Sequence, residues 1–247
     1  MKRVLIILWL LVVTVPGVAQ TNGEIFQALI QLGGSESDSV RELEVMYRFD
    51  QACDYDNPVT RGYAMQIAKP ALSNTITIAQ ICDIFDAVRP PHWSYFPDPY
   101  GLFDTIAKAS DSISLGLKGD CDDFAVLVAS CIRAIGGACR IFVVEGSPSG
   151  HAFAAVFVGD SASGNKIGEY IRQRYKVVRD PIYGRFAEGE GWWLPLDWGG
   201  TPPDWTDAYP GRQPVLDPDT ASHAFSVPGF SLAARFARVP LPIPVIP

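Results

Sequence analysis

Between residues 118 and 158 the hydrophobic period of the chain changes from helical to strand-like, and this change limits the available folds more than any other feature of the sequence. Over residues 121–135 apolar side chains return at helical spacing, with Phe124, Leu127, Val128, Cys131 and Ile135 on one face. Asp120 stands where a helix N-cap would, and Gly136-Gly137 closes the helix. Residues 140–145 and 151–158 are then two apolar runs of strand length, separated by a turn at 146–150. The predicted order is helix, strand, hairpin, strand. Such a hairpin folds back on itself, so its second strand can bring His151 over the N-terminal end of the helix.

Elsewhere the pattern predicts helices over residues 24–32, about 39–51, 58–68 and 77–88. Pro90-Pro91 ends the last of these and leads into a short extended piece, Trp93-Ser94-Tyr95-Phe96. A polar segment from about 159 to 190 is expected to hold a helix around 167–174, and residues 191–198 are expected to resume the core as a third strand. Proline and glycine then take over, and residues 216–247 read as a proline-rich tail, loose or laid along the body. No internal repeat is visible.

The N-terminus reads as an address. Lys2 and Arg3 precede an apolar run over residues 4–15, and the small residues Gly17 and Ala19 precede a cleavage point. A membrane-spanning helix needs about 20 apolar residues, more than this run contains. Residues 1–19 are therefore expected to be a signal peptide, leaving Gln20 first in a secreted or periplasmic chain with no stable membrane anchor after cleavage. The body is expected over residues 20–215, with its core at about 77–200. A 247-residue chain that is 48% hydrophobic and 19% charged can bury a core, which excludes wholesale disorder. A net charge of −7 supplies no basic face for phosphate backbones, which argues against a nucleic-acid partner.

An exported chain with five cysteines leaves at least one thiol unbridged within the molecule. Cys53, Cys82, Cys131 and Cys139 could supply bridges or could all be small core residues. Cys121 differs from them in position. In the first turn of a helix a thiol faces unpaired amide hydrogens and the positive end of the dipole, which favour the thiolate. Asp122 and Asp123 beside it oppose that effect, so a second helper is needed, and an imidazole fixed by a carboxylate would serve. The chain has three histidines, His92, His151 and His223; His151 follows Cys121 by thirty residues, and Asp197 ends the third predicted strand. No H-x-x-x-H or C-x-x-C spacing occurs, and Asp50, Asp54 and Asp56 lack the glutamate that closes a calcium loop, so no metal and no cofactor is expected. Trp192, Trp193, Trp198 and Trp205 could line a groove, although packing around the third strand is the simpler use.

Taken together, Lys118-Gly119-Asp120-Cys121-Asp122-Asp123-Phe124-Ala125-Val126-Leu127, Ala134-Ile135-Gly136-Gly137-Ala138-Cys139-Arg140, Gly150-His151-Ala152 and Trp193-Leu194-Pro195-Leu196-Asp197 resemble the transglutaminase-like superfamily. The resemblance spans roughly residues 93–198. It implies an α+β, papain-like core in which a nucleophile helix packs on an antiparallel sheet. It further implies Cys121 as nucleophile, His151 as general base and acid, Asp197 as the residue orienting the imidazole, and Trp93 near an upstream aromatic or glutamine that helps hold an oxyanion, with a plain core role as the alternative for Trp93. The implied activity is cysteine-dependent acyl transfer on a protein or peptide substrate. Hydrolysis of peptide or amide bonds is the first expectation, with protein crosslinking or a non-catalytic binding module as alternatives. The stretch between His151 and Asp197 is longer than is common in the family, which makes Asp160 a rival for the carboxylate. Asp160 closes the strand that His151 opens, and an eight-residue strand spans about 26 Å, so the ring is expected to be out of its reach.

Overall fold

The computed structural model describes residues 38–69, 76–98, 105–145, 150–179, 181, 191–199, 208–214 and 223–227. The chain divides into residues 1–47 and 48–247, and apart from the opening turns of the first helix the elements below belong to the second unit. The expected signal peptide at 1–19, the helix at 24–32, the turn at 146–149 and Trp205 lie outside the described residues, as does most of the expected tail.

Helix α1 spans Asp38–Ala52 and α2 spans Pro58–Ile67. The α2 N-terminus follows from its first residues. Asn57 Oδ1 accepts from the Val59 N–H at 2.9 Å, and Pro58 occupies a position whose missing N–H would have no helical acceptor. Helix α3, Ile78–Val88, opens on a capping box between Thr77 and Gln80 and buries Ile78, Ile81, Cys82, Phe85 and Val88. Two-residue strands β1 (Ser94–Tyr95) and β2 (Lys118–Gly119) pair in parallel, with Tyr95 opposite Gly119. Between them lies α4, Ala109–Ser114. Its Ser/Asp-rich sequence carries no apolar period, and side-chain hydrogen bonding fixes it instead. The Asp54 carboxylate accepts from the Ser110 N–H and hydroxyl and from the Thr60 hydroxyl, so this acidic loop clamps α4 to α2.

Helix α5, Cys121–Ala134, is the centre of the molecule, buried continuously from Asp122 to Ile132. It touches α2, α3 and α4 as well as the sheet, so it packs on more than one face. The sheet has four antiparallel strands in the order β5-β4-β3-β6, with β3 at Cys139–Glu145, β4 at His151–Gly159, β5 at Trp192–Leu196 and β6 at His223–Val227. Every residue of β4 is buried, which explains why it reads as one continuous apolar run rather than an alternation. The fold class is thus α+β, with α5 laid on the antiparallel sheet.

The segment after β4 contains α6, Ser161–Tyr175, longer than the stretch predicted around 167–174. Its buried stripe is narrow, chiefly Ile167 and Ile171, so hydrophobic period marks only its middle. Arg174 fastens it to α3, donating to Asp83 at 2.7 Å and to Asp86 at 2.8 Å. Strand β6 differs more sharply from expectation. Residues 223–227 lie in the expected tail, yet their backbone pairs with β3 as an outer strand of the sheet.

All five cysteines are unbridged; Cys53, Cys82, Cys131 and Cys139 are buried and only Cys121 is half-buried. Among the described residues no helix is long and apolar enough to cross a membrane.

Candidate active site

The backbone ahead of α5 sets the position of Cys121. Gly119 adopts φ +152°, and a Cβ on it would lie 2.6 Å from the Asp123 Cβ, so only glycine fits between β2 and the helix. The space is filled by Asp123 itself, whose carboxylate accepts from the Asp120 N–H at 3.3 Å and from the Ala107 N–H at 2.7 Å. Burial pushes the Asp123 carboxyl up to about 6, against those two amide hydrogens and with help from the negative charges of Asp120 and Asp98. Asp123 is therefore a brace for the helix start, and Cys121 is left half-buried at the first helical position.

Strand register brings the other two groups together. Ala154 pairs with Leu196 and Ala155 with Pro195, so the same register carried one residue further sets Asp197 opposite Phe153. His151 is two residues from Phe153 and points to the same face, making Asp197 its diagonal neighbour. The contact is direct: His151 Nε2 lies 2.8 Å from Asp197 Oδ2. Both are buried, at 7% and 1% exposure. The imidazole is held by rings on two sides, Phe153 at 6.2 Å and Trp198 at 6.0 Å between centroids.

Burial, the largest single effect, works against the charged imidazolium, but the charge and hydrogen bond of Asp197 together with the Cys121 sulfur outweigh it and raise His151 to about 10. With Nε2 turned to Asp197, Nδ1 is the nitrogen left for the sulfur, whose proximity contributes to that rise. The arrangement can hold a thiolate beside an imidazolium and pass a proton between sulfur and ring.

Trp93 is buried, packs edge-on against Phe124 at 5.4 Å, and has an indole N–H with no acceptor among the described residues. Asp160 sits at the opposite end of β4 from His151. It caps α6 by accepting from the Ser163 N–H at 2.9 Å, and that backbone hydrogen bond holds it below the usual carboxylate range. It does not meet the ring. Of the tryptophans, Trp198 joins the site, whereas Trp193 packs on Phe157 and beneath the Arg140 guanidinium at 4.3 Å. His92 is exposed in the turn before β1, and His223 belongs to β6.

The packing of Phe153 and Trp198 against the imidazole and the role of Gly119 are not drawn from the sequence. For Phe153 a signal exists, since it follows His151 at strand period and must share its face. A further grouping is also missed: Asp120, Asp122 and Asp123 each bring an oxygen to within 4.8 Å of the others. Carboxylates so grouped are the donor type of hard cations, although the Asp123 oxygens already serve two backbone amides.

No protein-family model matches the chain, and no curated protein matches it. Two solved structures do. One, from Cytophaga hutchinsonii and provisionally assigned as a cysteine protease, is 20% identical, with a TM-score of 0.35 over 45% of this chain and 38% of that one. The other, calcium-bound LapG of Legionella pneumophila, is 17% identical, with a TM-score of 0.30 over 54% of this chain and 64% of that one. In each case the match spans less than two thirds of the other protein's chain.

Proposed function

We propose that this chain is an exported, cysteine-dependent acyl-transfer enzyme that hydrolyses peptide or amide bonds, with Cys121 as nucleophile, His151 as base and acid, and Asp197 as the orienting carboxylate. The observation that carries it is the buried 2.8 Å contact between His151 Nε2 and Asp197 Oδ2, on a ring whose protonated form the nearby Cys121 sulfur also favours. A histidine and an aspartate this deeply buried in an apolar sheet need a compensating purpose.

The contrast among the thiols supports the same choice. Burial pushes Cys82, Cys131 and Cys139 each up to about 12 and Cys53 well above the usual thiol value, which keeps them neutral. Cys121 alone is half-buried and has an imidazole partner.

In the proposed cycle the Cys121 thiolate attacks the substrate carbonyl carbon while His151 carries the proton taken from sulfur. The oxygen becomes an oxyanion, held by the Cys121 N–H at the helix start and by the Trp93 indole N–H. Collapse breaks the C–N bond, His151 gives its proton to the departing amine, and a thioester remains on Cys121. His151, again neutral, takes a proton from water as that water attacks the thioester, which releases the acid and restores the thiol. Asp197 keeps the ring in one tautomer throughout.

Limited alkylation with iodoacetamide tests the assignment. Cys121 should react first among the five thiols, His151→Ala should slow that reaction, and Cys121→Ala should abolish peptide hydrolysis while leaving the fold. Earlier labelling of Cys53 or Cys82 in the folded chain, or hydrolysis retained by Cys121→Ala, would overturn it. Incorporation of a primary amine into a glutamine peptide in place of acid release would move the reaction to crosslinking.

A further inference from the structure

An arginine drawn into a protein body normally finds a partner there. Arg89 and Arg174 are paired with aspartates of α3, and Arg133 and Arg140 lie over the rings of Tyr55 and Trp193. Arg212 differs from all four. It is half-buried, its Nη1 is buried with no acceptor, and no side chain or carbonyl among the described residues accepts from its guanidinium. A charged donor taken from water and given nothing in return is unfavourable, which makes such a group the natural seat for an acceptor brought from outside.

Its backbone is tied to the strand that carries Asp197. The Gly211 N–H donates to the Pro195 carbonyl at 2.7 Å and the Arg212 N–H to the Tyr209 carbonyl at 3.0 Å, so the turn over 209–212 is laced to β5 two residues before Asp197. From that turn the side chain lies across the backbone leaving β5, where a Cβ on Gly199 would stand 2.7 Å from Arg212 Nε and 3.1 Å from its Cζ. Gly199 has two reasons to be glycine: its φ of +63°, and a guanidinium in the place of a side chain. Two Cα–Cα steps of about 3.8 Å keep Gly199 within about 7.6 Å of Asp197 along the chain. Between them Trp198 lies 6.0 Å, ring to ring, from His151. The unpartnered cation is therefore a close neighbour of the His151–Asp197 pair.

We propose that Arg212 is the specificity residue of the site and binds a carboxylate of the substrate peptide a few residues from the bond under attack. The proposal rests on the Cys121 and His151 chemistry put forward above, and it adds the substrate class: a peptide with an Asp or Glu side chain, or a free C-terminus, close to the scissile bond. A guanidinium is always charged, and its planar fork matches a carboxylate better than it matches a neutral amide. A chain of net charge −7 has no general field to gather acidic peptides, so their recognition falls to a local cation of this kind. The lacing of the 209–212 turn to β5 gives carboxylate binding and imidazole placement one support.

The test uses the full chain after any natural processing, and bromoacetyl-oligoglycine labels of increasing length, each made as the free acid and as the primary amide. The rate at which each alkylates Cys121 is divided by the iodoacetamide rate of the same protein. At one length the acid should react about tenfold faster than the amide, the scale of one hydrogen bond to a charged group. Arg212→Met should equalise acid and amide and Arg212→Lys should keep part of the preference, with melting temperatures confirming that each variant is folded. If the methionine variant does not fold, Arg212→Gln, which keeps a donor and loses the charge, should remove the preference in its place. At the favoured length, amidated labels carrying Asp or Asn separate the two sources. Faster reaction with Asp means that an acidic side chain suffices, and equal rates assign the site to a free C-terminus. If Cys121 reacts with iodoacetamide but prefers the acid at no length, or if the preference survives loss of the guanidinium, the role of Arg212 is overturned and the nucleophile stands. If Cys121 resists iodoacetamide as well, the enzymatic function falls and this proposal with it.

Discussion

At the scale of single residues the site turns on which carboxylate holds the imidazole. Asp197 reaches His151 at 2.8 Å, while Asp160 accepts from Ser163 at the start of α6. Asp197→Asn should therefore slow single-turnover acylation by about four powers of ten, the cost seen when a triad imidazole loses its carboxylate, while a slow acyl-enzyme still accumulates. Asp160→Asn should leave the rate unchanged, because asparagine caps a helix as well as aspartate. Normal acylation in Asp197→Asn with collapse in Asp160→Asn would reverse the assignment. The same contact predicts a pH dependence of stability. His151 is raised from 6.5 to about 10, so the folded state holds its proton more tightly than the unfolded chain does. The stabilisation is complete below about 6.5 and is lost as the pH rises through about 10. The melting temperature of the natural chain should thus exceed that of Asp197→Asn by most near neutrality, with the gap closing in alkali. A gap that stays constant with pH would mean that the aspartate does not act through the ring's charge.

At the scale of elements, α5 was legible because its signals agree: an apolar face, an aspartate before it and a glycine pair after it, so that the predicted 121–135 and the observed Cys121–Ala134 nearly coincide. Helix α4 was not, because Ser110 is buried through its hydrogen bonds to Asp54 and Ser112 through close packing, and no apolar period announces that. The pairing of His151 with Asp197 was legible only through the order of the motifs. Strand register, which makes them diagonal neighbours, depends on where β5 docks, and the sequence does not state it. Two element-level consequences can be measured. Gly119→Ala would force a methyl group against the Asp123 side chain at a backbone angle that alanine rarely adopts, and should cost about 3 kcal/mol in urea unfolding. Arg174→Met would leave Asp83 on α3 without its guanidinium and Asp86 with only that of Arg89, and should cost about 2 kcal/mol, since the partly exposed groups are screened by water. A loss confined to α6, seen as faster amide exchange there with α5 still protected, would show that this clamp holds the element and not the whole body.

At the scale of the whole molecule, the sheet carries the largest departure from what the sequence suggests. Val239 to Pro247 is proline-dense, and that composition colours everything after residue 216. Within it, however, His223–Val227 contains no proline and has enough backbone donors to pair with β3. Local composition could not reveal this, because the partner lies some eighty positions earlier in the chain. The consequence concerns the edge of the sheet. With β6 in place, β3 is hydrogen-bonded on both sides, Ile141 to Glu145 facing Val227 to His223. Without it, β3 would become the edge, offering unpaired N–H and C=O groups beside an apolar strand, which is the usual template for association between chains. A chain ending at residue 215 should therefore have a lower urea midpoint than one ending at residue 230, and it should scatter light on warming where the longer chain does not. Because β3 pairs along its other side with the strand that carries His151, the shorter chain should also lose reactivity at Cys121 towards peptide electrophiles in proportion to the fraction unfolded. Equal midpoints for the two chains would show that β6 adds nothing to the sheet and that the segment is a tail after all.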